Sequence, residues 1–137
     1  MNLHVSGYAG ALGAAGIAAN RRDELMKKYR ADFIDRAINY CPENASVFED
    51  GYLGELYRIA QERKCGIEIA LKKIPVLQST IEICEQYMLN PYRLKTDAQI
   101  ILSEEKEIPG FACIGRLTGG RDKIITDKSS IEYINKP

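Results

Sequence analysis

Hydrophobic positions along this chain switch between two periods, one helical and one extended. From Tyr8 to about Lys28 the spacing predicts a helix, with Leu12, Ala15, Ala19, Leu25 and Met26 on its apolar face. Ala31 to Tyr40 repeats the pattern through Phe33, Ile34, Ala37 and Ile38. Cys41-Pro42 ends that helix, because proline disfavours helix at the residue before it. A third helix begins near Gly51, with Tyr52, Leu56 and Ile59 on one stripe, joined by Leu53, Tyr57 and Ala60. Asp50 is placed to cap its start and Gly66 to close its end. Leu77, Ile81, Cys84 and Met88 mark the core face of a fourth helix, with Pro75 in its first turn and Asn90-Pro91 beyond its end.

The extended segments are shorter. Leu3-His4-Val5 and Ser46-Val47-Phe48 read as brief strands. Ile67, Ile69 and Leu71 alternate with Glu68 and Ala70, the period of a half-buried strand. Ile100-Ile101-Leu102 reads as a buried strand, followed by a charged turn at Ser103-Glu104-Glu105-Lys106-Glu107. Phe111 to Leu117, Lys123 to Thr126 and Ser130 to Ile134 complete the set, with Gly119-Gly120 as a hairpin turn between the first two. Helices first, strands interleaved and hairpins last predict an α+β fold, a mixed β-sheet covered by helices, in one domain over residues 1–137.

Composition narrows the function classes. Nineteen basic and nineteen acidic residues cancel, which leaves no electrostatic footprint for nucleic acid or an anionic membrane. No apolar run approaches the roughly 18 residues of a membrane-spanning helix. The N-terminus lacks the basic region of a signal peptide, so the cytoplasm is the expected compartment. Cys41, Cys65, Cys84 and Cys113 form no C-x-x-C pair, and His4 is the sole histidine, so no metal site is expected. Cys84 and Cys113 read as small buried hydrophobes, and His4 as a surface or ordinary strand histidine. Gly7, Gly10, Gly13 and Gly16 recur every three residues. They match neither G-x-G-x-x-G nor a loop ending in G-K-S/T, and close packing of a helix on another backbone is the favoured reading. Lys72-Lys73 and Glu104-Glu105 read as solvated loops.

The order of parts from Gly51 to Leu94, the opening SGYAGALGAAGIA before RRDEL, and IGRLTGG near the end carry a family resemblance. Together they resemble the C-terminal domain of the AIR synthetase (PurM) superfamily, which includes the HypE hydrogenase-maturation proteins. The resemblance implies that fold, and it implies a domain that works beside an N-terminal ATP-binding domain, which these residues do not supply. Four departures bear on function. The family's Asp-x-Thr-x-Gly-Gly loop, which helps hold phosphate or substrate, is here Ser46-Val47-Phe48-Glu49-Asp50-Gly51. Glu49, Asp50 and Gly51 are therefore the candidate ligand-binding residues of a degenerate nucleotide site. Two carboxylates at a helix start repel phosphate rather than bind it. Ala98 stands where relatives have a glycine, and SEEKEIPG is too short for the helix that relatives place between the flanking strands. The chain ends Ile134-Asn135-Lys136-Pro137, without the terminal cysteine of HypE thiol chemistry.

Two functions follow as expectations. The first is a non-catalytic interaction or regulatory module that stands alone, needs no cofactor of its own and self-associates as a homodimer or binds a protein partner. The second is one half of a split ATP-dependent enzyme, AIR synthetase-like or hydrogenase-maturation-like. In that case ATP and Mg would come with a separate ATP-binding chain. No catalytic residue is assigned in either case, because a Ser-His-Asp or Cys-His set could form only around His4.

Overall fold

Residues 1–127 and 132–136 are described in the computed structural model. Its first strand, β1 (Asn2–Ser6), shows how the sheet forms: Leu3 and Val5 are buried on one face, as a period of two requires. β1 pairs antiparallel with β5 (Gln99–Ser103) on one side and with β6 (Ala112–Thr118) on the other. Beyond β6 lie β3 (Gly66–Ile69), β7 (Lys123–Ile125) and β8 (Glu132–Tyr133), so the order is β5-β1-β6-β3-β7-β8. Of these pairs, β3–β7 alone is parallel. β2 (Val47–Phe48) and β4 (Thr96–Asp97) form a separate antiparallel pair.

The helices are α1 (Ala11–Asn20), α2 (Arg22–Leu25), α3 (Ala31–Ile38), α4 (Gly51–Glu62) and α5 (Gln78–Gln86). α4 supplies Tyr52, Leu53, Leu56 and Ala60 to the main core, where they join Leu3, Val5, Ile67, Ile69, Ile114 and Ile125. A second core lies among the other helices, where Ala14, Ala18, Leu25, Ile34, Ala37 and Ile83 meet. Each buried Leu or Ile contributes about 1.5–3 kcal/mol relative to exposure. The result is the expected α+β fold, a mixed sheet with helices packed on it. No helix among the described residues is long and apolar enough to cross a membrane.

Several local expectations are corrected. The first helix begins at Ala11, because Gly10 before it is left-handed (φ 72), and it breaks at Arg21, whose backbone leaves the helical region (φ -114, ψ 22). Its buried face is Ala11, Ala14 and Ala18, while Ala19 and Met26 are exposed. Asp50 stands at the N-cap position of α4 but makes no capping bond. Lys64, not Gly66, is the left-handed residue that closes α4 (φ 53), and Cys65 N–H bonds back to Ala60 O at 3.1 Å. Gly66 instead opens β3, where a Cβ would lie 2.3 Å from Thr118 Oγ1. Leu71 starts a 3₁₀ turn rather than extending β3. Pro75 precedes α5 by three residues, so α5 starts later than its apolar spacing suggested and buries Thr80, Ile83 and Cys84. Met88 lies past the helix end with φ 53 and is 94% exposed. Ile100, Ile101 and Leu102 are half-buried because β5 is a sheet edge. Gly119-Gly120 makes no hairpin: β3 is inserted between β6 and β7. Of the last predicted strand, residues 130 and 131 lie outside the described residues, and Glu132–Tyr133 is the strand observed.

The glycine spacing does reflect close packing, at three of four positions. A Cβ at Gly7 would lie 2.5 Å from Asp97 O, at Gly10 2.7 Å from Pro91 O, and at Gly13 2.9 Å from Leu94 Cβ. Gly16 faces open space. Gly16→Ala is therefore expected to stabilise the fold by about 0.5–1 kcal/mol, the ordinary helical gain of alanine over glycine. Gly13→Ala should destabilise it by forcing Leu94 aside. Thermal melts of the two variants check this, and equal shifts in one direction would contradict it.

Candidate functional site

Glu49, Asp50 and Gly51 meet at the start of α4, as the sequence predicts, but the surroundings differ from a phosphate cradle. Gly51 is buried at φ +72, and a Cβ there would sit 2.5 Å from Tyr92 O and 2.7 Å from Leu94 O. Only glycine meets both demands, so its role is to let the 3₁₀ turn Pro91–Arg93 press onto α4. Glu49 is exposed, with Oε1 3.9 Å from Lys95 Nζ. Asp50 shares a hollow of about 370 Å³ with Arg93, Asn135 and Lys136. Arg93 Nη2 donates to Asn135 O at 2.8 Å, and its Nη1 is buried without a partner. The structure thus sets two carboxylates among Arg93, Lys95 and Lys136. Those cations come from distant parts of the chain, and no local motif announces them.

Next to this site runs the segment that sequence reasoning noted for Ala98 alone. Its neighbour Asp97, in β4, is fully buried. Tyr40 Oη donates to Asp97 Oδ1 at 2.6 Å, and the N–H groups of Glu43 and Asn44 donate to Oδ2 at 2.9 and 3.0 Å. Asp97 makes no ion pair among the described residues. Ala98 N–H donates to Ser46 O, continuing the link between β4 and β2. Thr96 Oγ1 accepts from Gly10 N–H and donates to Leu94 O, both at 2.8 Å. Tyr52 Oη donates to Gly7 O at 2.7 Å. One short strap therefore ties the turn before α1, the end of α3 and the loop before β2, while Tyr52 ties the start of α4 to the end of β1. The strap's polar groups are engaged with one another, which suits holding a shape more than transferring a proton.

The remaining candidates lie apart. His4 is fully buried in β1, not on the surface, with Nε2 2.9 Å from Glu105 O and Nδ1 unpartnered. Cys84 is buried, and burial pushes its thiol up to about 11, the condition of an unreactive core cysteine. Cys113 is half-buried in β6 and Cys41 exposed. Among the described residues, no three His, Cys, Asp or Glu side chains gather in a way that could hold a metal ion.

Burial, then the hydrogen bond and charge of Asp97, hold the Tyr40 phenol far above the ordinary tyrosine value of 10.0. Burial, then Asp97, does the same for Tyr52. Above pH 10.0 the unfolded tyrosines lose protons that the folded ones keep, so the unfolded state binds fewer protons and stability falls as pH rises. The two phenols thus stabilise fully below that pH. Urea unfolding between neutral and strongly alkaline pH should show this decline, and Tyr40→Phe should flatten it. An alkaline slope unchanged in Tyr40→Phe would show that Tyr40 titrates normally.

No family model matches this sequence, and no curated protein is significantly similar to it. Solved structures do match. HypE of E. coli is 18% identical with a TM-score of 0.67, over 99% of this chain and 49% of that one. A structure of HypE in complex with ATP is 16% identical with a TM-score of 0.65, over 99% and 50%. Thiamine monophosphate kinase from Aquifex aeolicus is 22% identical with a TM-score of 0.56, over 99% and 51%. The chain spans about half the length of each of these structures. Identity this low carries the fold alone: this chain has the fold of about half of HypE and of thiamine monophosphate kinase.

Proposed function

We propose that this chain is an interaction or regulatory module built on that fold and that it performs no chemistry by itself. The observation that carries this reading is the start of α4. A phosphate approaching the helix end would meet exposed Glu49 and Asp50 first. Two of the nearby cations are engaged in part, Lys95 with Glu49 at 3.9 Å and Arg93 through Nη2 with Asn135 O. The polar strap beside it, with Asp97 at its centre, is saturated by its own donors. Val47 beside this site and Met88-Leu89 after α5 are exposed apolar side chains. The partner proposed is a second copy of the chain, and the compartment this reading assigns is the cytoplasm.

A second reading has an observation of its own. One matching structure is a complex of HypE with HypF and another holds ATP, and this chain spans only about half of each matched HypE chain. On that reading the chain completes the site of an ATP-dependent enzyme whose ATP-binding domain lies elsewhere, and Glu49 and Gly51 face the ligand. Co-purification of the tagged chain from extracts of its own cells and light scattering at micromolar protein separate the two. The module reading expects a dimer recovered without an ATP-binding chain. Stoichiometric recovery of an ATP-binding chain, with ATPase activity of the pair lowered by Glu49→Gln, would overturn it in favour of the second.

A further inference from the structure

The end of β1 opens onto a second hollow, which shares no lining residue with the one at Asp50. It encloses about 360 Å³ between the turn at Gly7, Tyr8, Glu43, Pro75 and Phe111. That volume falls in the range of small-molecule sites, roughly 300–1,000 Å³. We propose that this cleft binds a small organic cation, an ammonium group carried on an apolar body.

Charge is the first argument. Glu43 is the one ionisable carboxylate among the lining residues, and no lysine or arginine lines the cleft. The Glu43 side chain makes no hydrogen bond or ion pair among the described residues; its backbone N–H alone is engaged, to Asp97. Asp97 lies behind it, fully buried and likewise without a cation. Two carboxylates thus act on one small region with nothing of opposite sign beside them, so the cleft favours a positive guest and disfavours a phosphate or carboxylate.

Shape and lining decide which cation. Calcium and magnesium take six or more oxygen ligands at short range, and zinc takes about four N, S or O ligands. This cleft offers a single carboxylate, and its other side chains include two aromatic rings and a proline. Tyr8 and Phe111 line the cleft, and aromatic rings attract an alkylated ammonium more strongly than water-loving inorganic ions. Pro75 and the ring carbons accept the apolar body. The backbone that carries Glu43 is also held in place before any guest arrives. The Glu43–Asn44 turn is fixed by two N–H bonds to Asp97, so little ordering remains to be done on binding.

The test is a calorimetric titration of the full chain with tetramethylammonium chloride, with sodium acetate as the anionic control at matched ionic strength. Saturable binding on the order of 1 mM is expected for one ion pair with aromatic contacts. Glu43→Gln should weaken it roughly tenfold, and Tyr8→Leu or Phe111→Leu roughly threefold to tenfold. Glu43 is exposed and its side chain is unbonded, so Glu43→Gln should melt at the wild-type temperature, which keeps loss of folding apart from loss of binding. The proposal is overturned if the wild type shows no saturable binding, if Glu43→Gln binds equally well, or if acetate binds as tightly. None of these outcomes depends on whether MgATP binds at α4.

Discussion

A buried carboxylate with no cation beside it is costly, several kcal/mol in desolvation, unless donors surround it. Asp97 meets that condition with a phenol and two backbone N–H groups. The donors stand 53, 54 and 57 residues away in sequence, within the single stretch Tyr40 to Asn44, so satisfying one side chain fixes that remote loop. The loop from the end of α3 to β2 has little regular structure of its own, and its apolar contacts are few. Asp97 supplies its anchor. Thr96, next in the same strap, performs a similar task for the turn that leads into α1.

Around that anchor the rest of the architecture is ordinary. α4 covers the sheet with a continuous apolar stripe, and β1 and β3 answer it with alternating Leu, Val and Ile. Gly51 lets the Pro91–Arg93 turn sit directly on the start of α4, which brings Arg93 and Lys95 to the acidic pair Glu49 and Asp50. The position where the resemblance puts a phosphate loop is thus a balanced patch of carboxylates and cations. Geometry and function meet there: the fold keeps the helix end, while the side chains change what approaches it. On the other side of the strap, the same Asp97 holds Glu43 at the mouth of the cleft.

Much of the fold was legible because it rests on local periodicity. The stripe from Tyr52 to Ala60 and the alternation at Ile67 and Ile69 each appear where spacing placed them. What failed was non-local. Nothing near Gly119-Gly120 indicates that β3 slots between the strands on either side of it. The first helix starts late because Gly10 is left-handed and packed against Pro91, 81 residues on. Met88 has helical spacing but falls beyond the last turn, where the chain must turn left-handed. At the site, Glu49, Asp50 and Gly51 were named from the family resemblance, at a helix start that local spacing also predicts. Arg93, Lys136 and Asp97 were not, since each acts through partners far along the chain, and an acidic residue just before an apolar strand was the sole hint of Asp97.

The central claim is that Asp97 orders the Glu43–Asn44 loop from inside the fold. Native-state hydrogen exchange measures this directly, residue by residue. If the claim holds, the amides of Glu43 and Asn44 exchange nearly as slowly as those of β1, and in Asp97→Asn they speed up sharply while β1 stays protected. Exchange of those two amides at free-peptide rates in the wild type would contradict the account, because the loop would then be held by nothing that Asp97 provides.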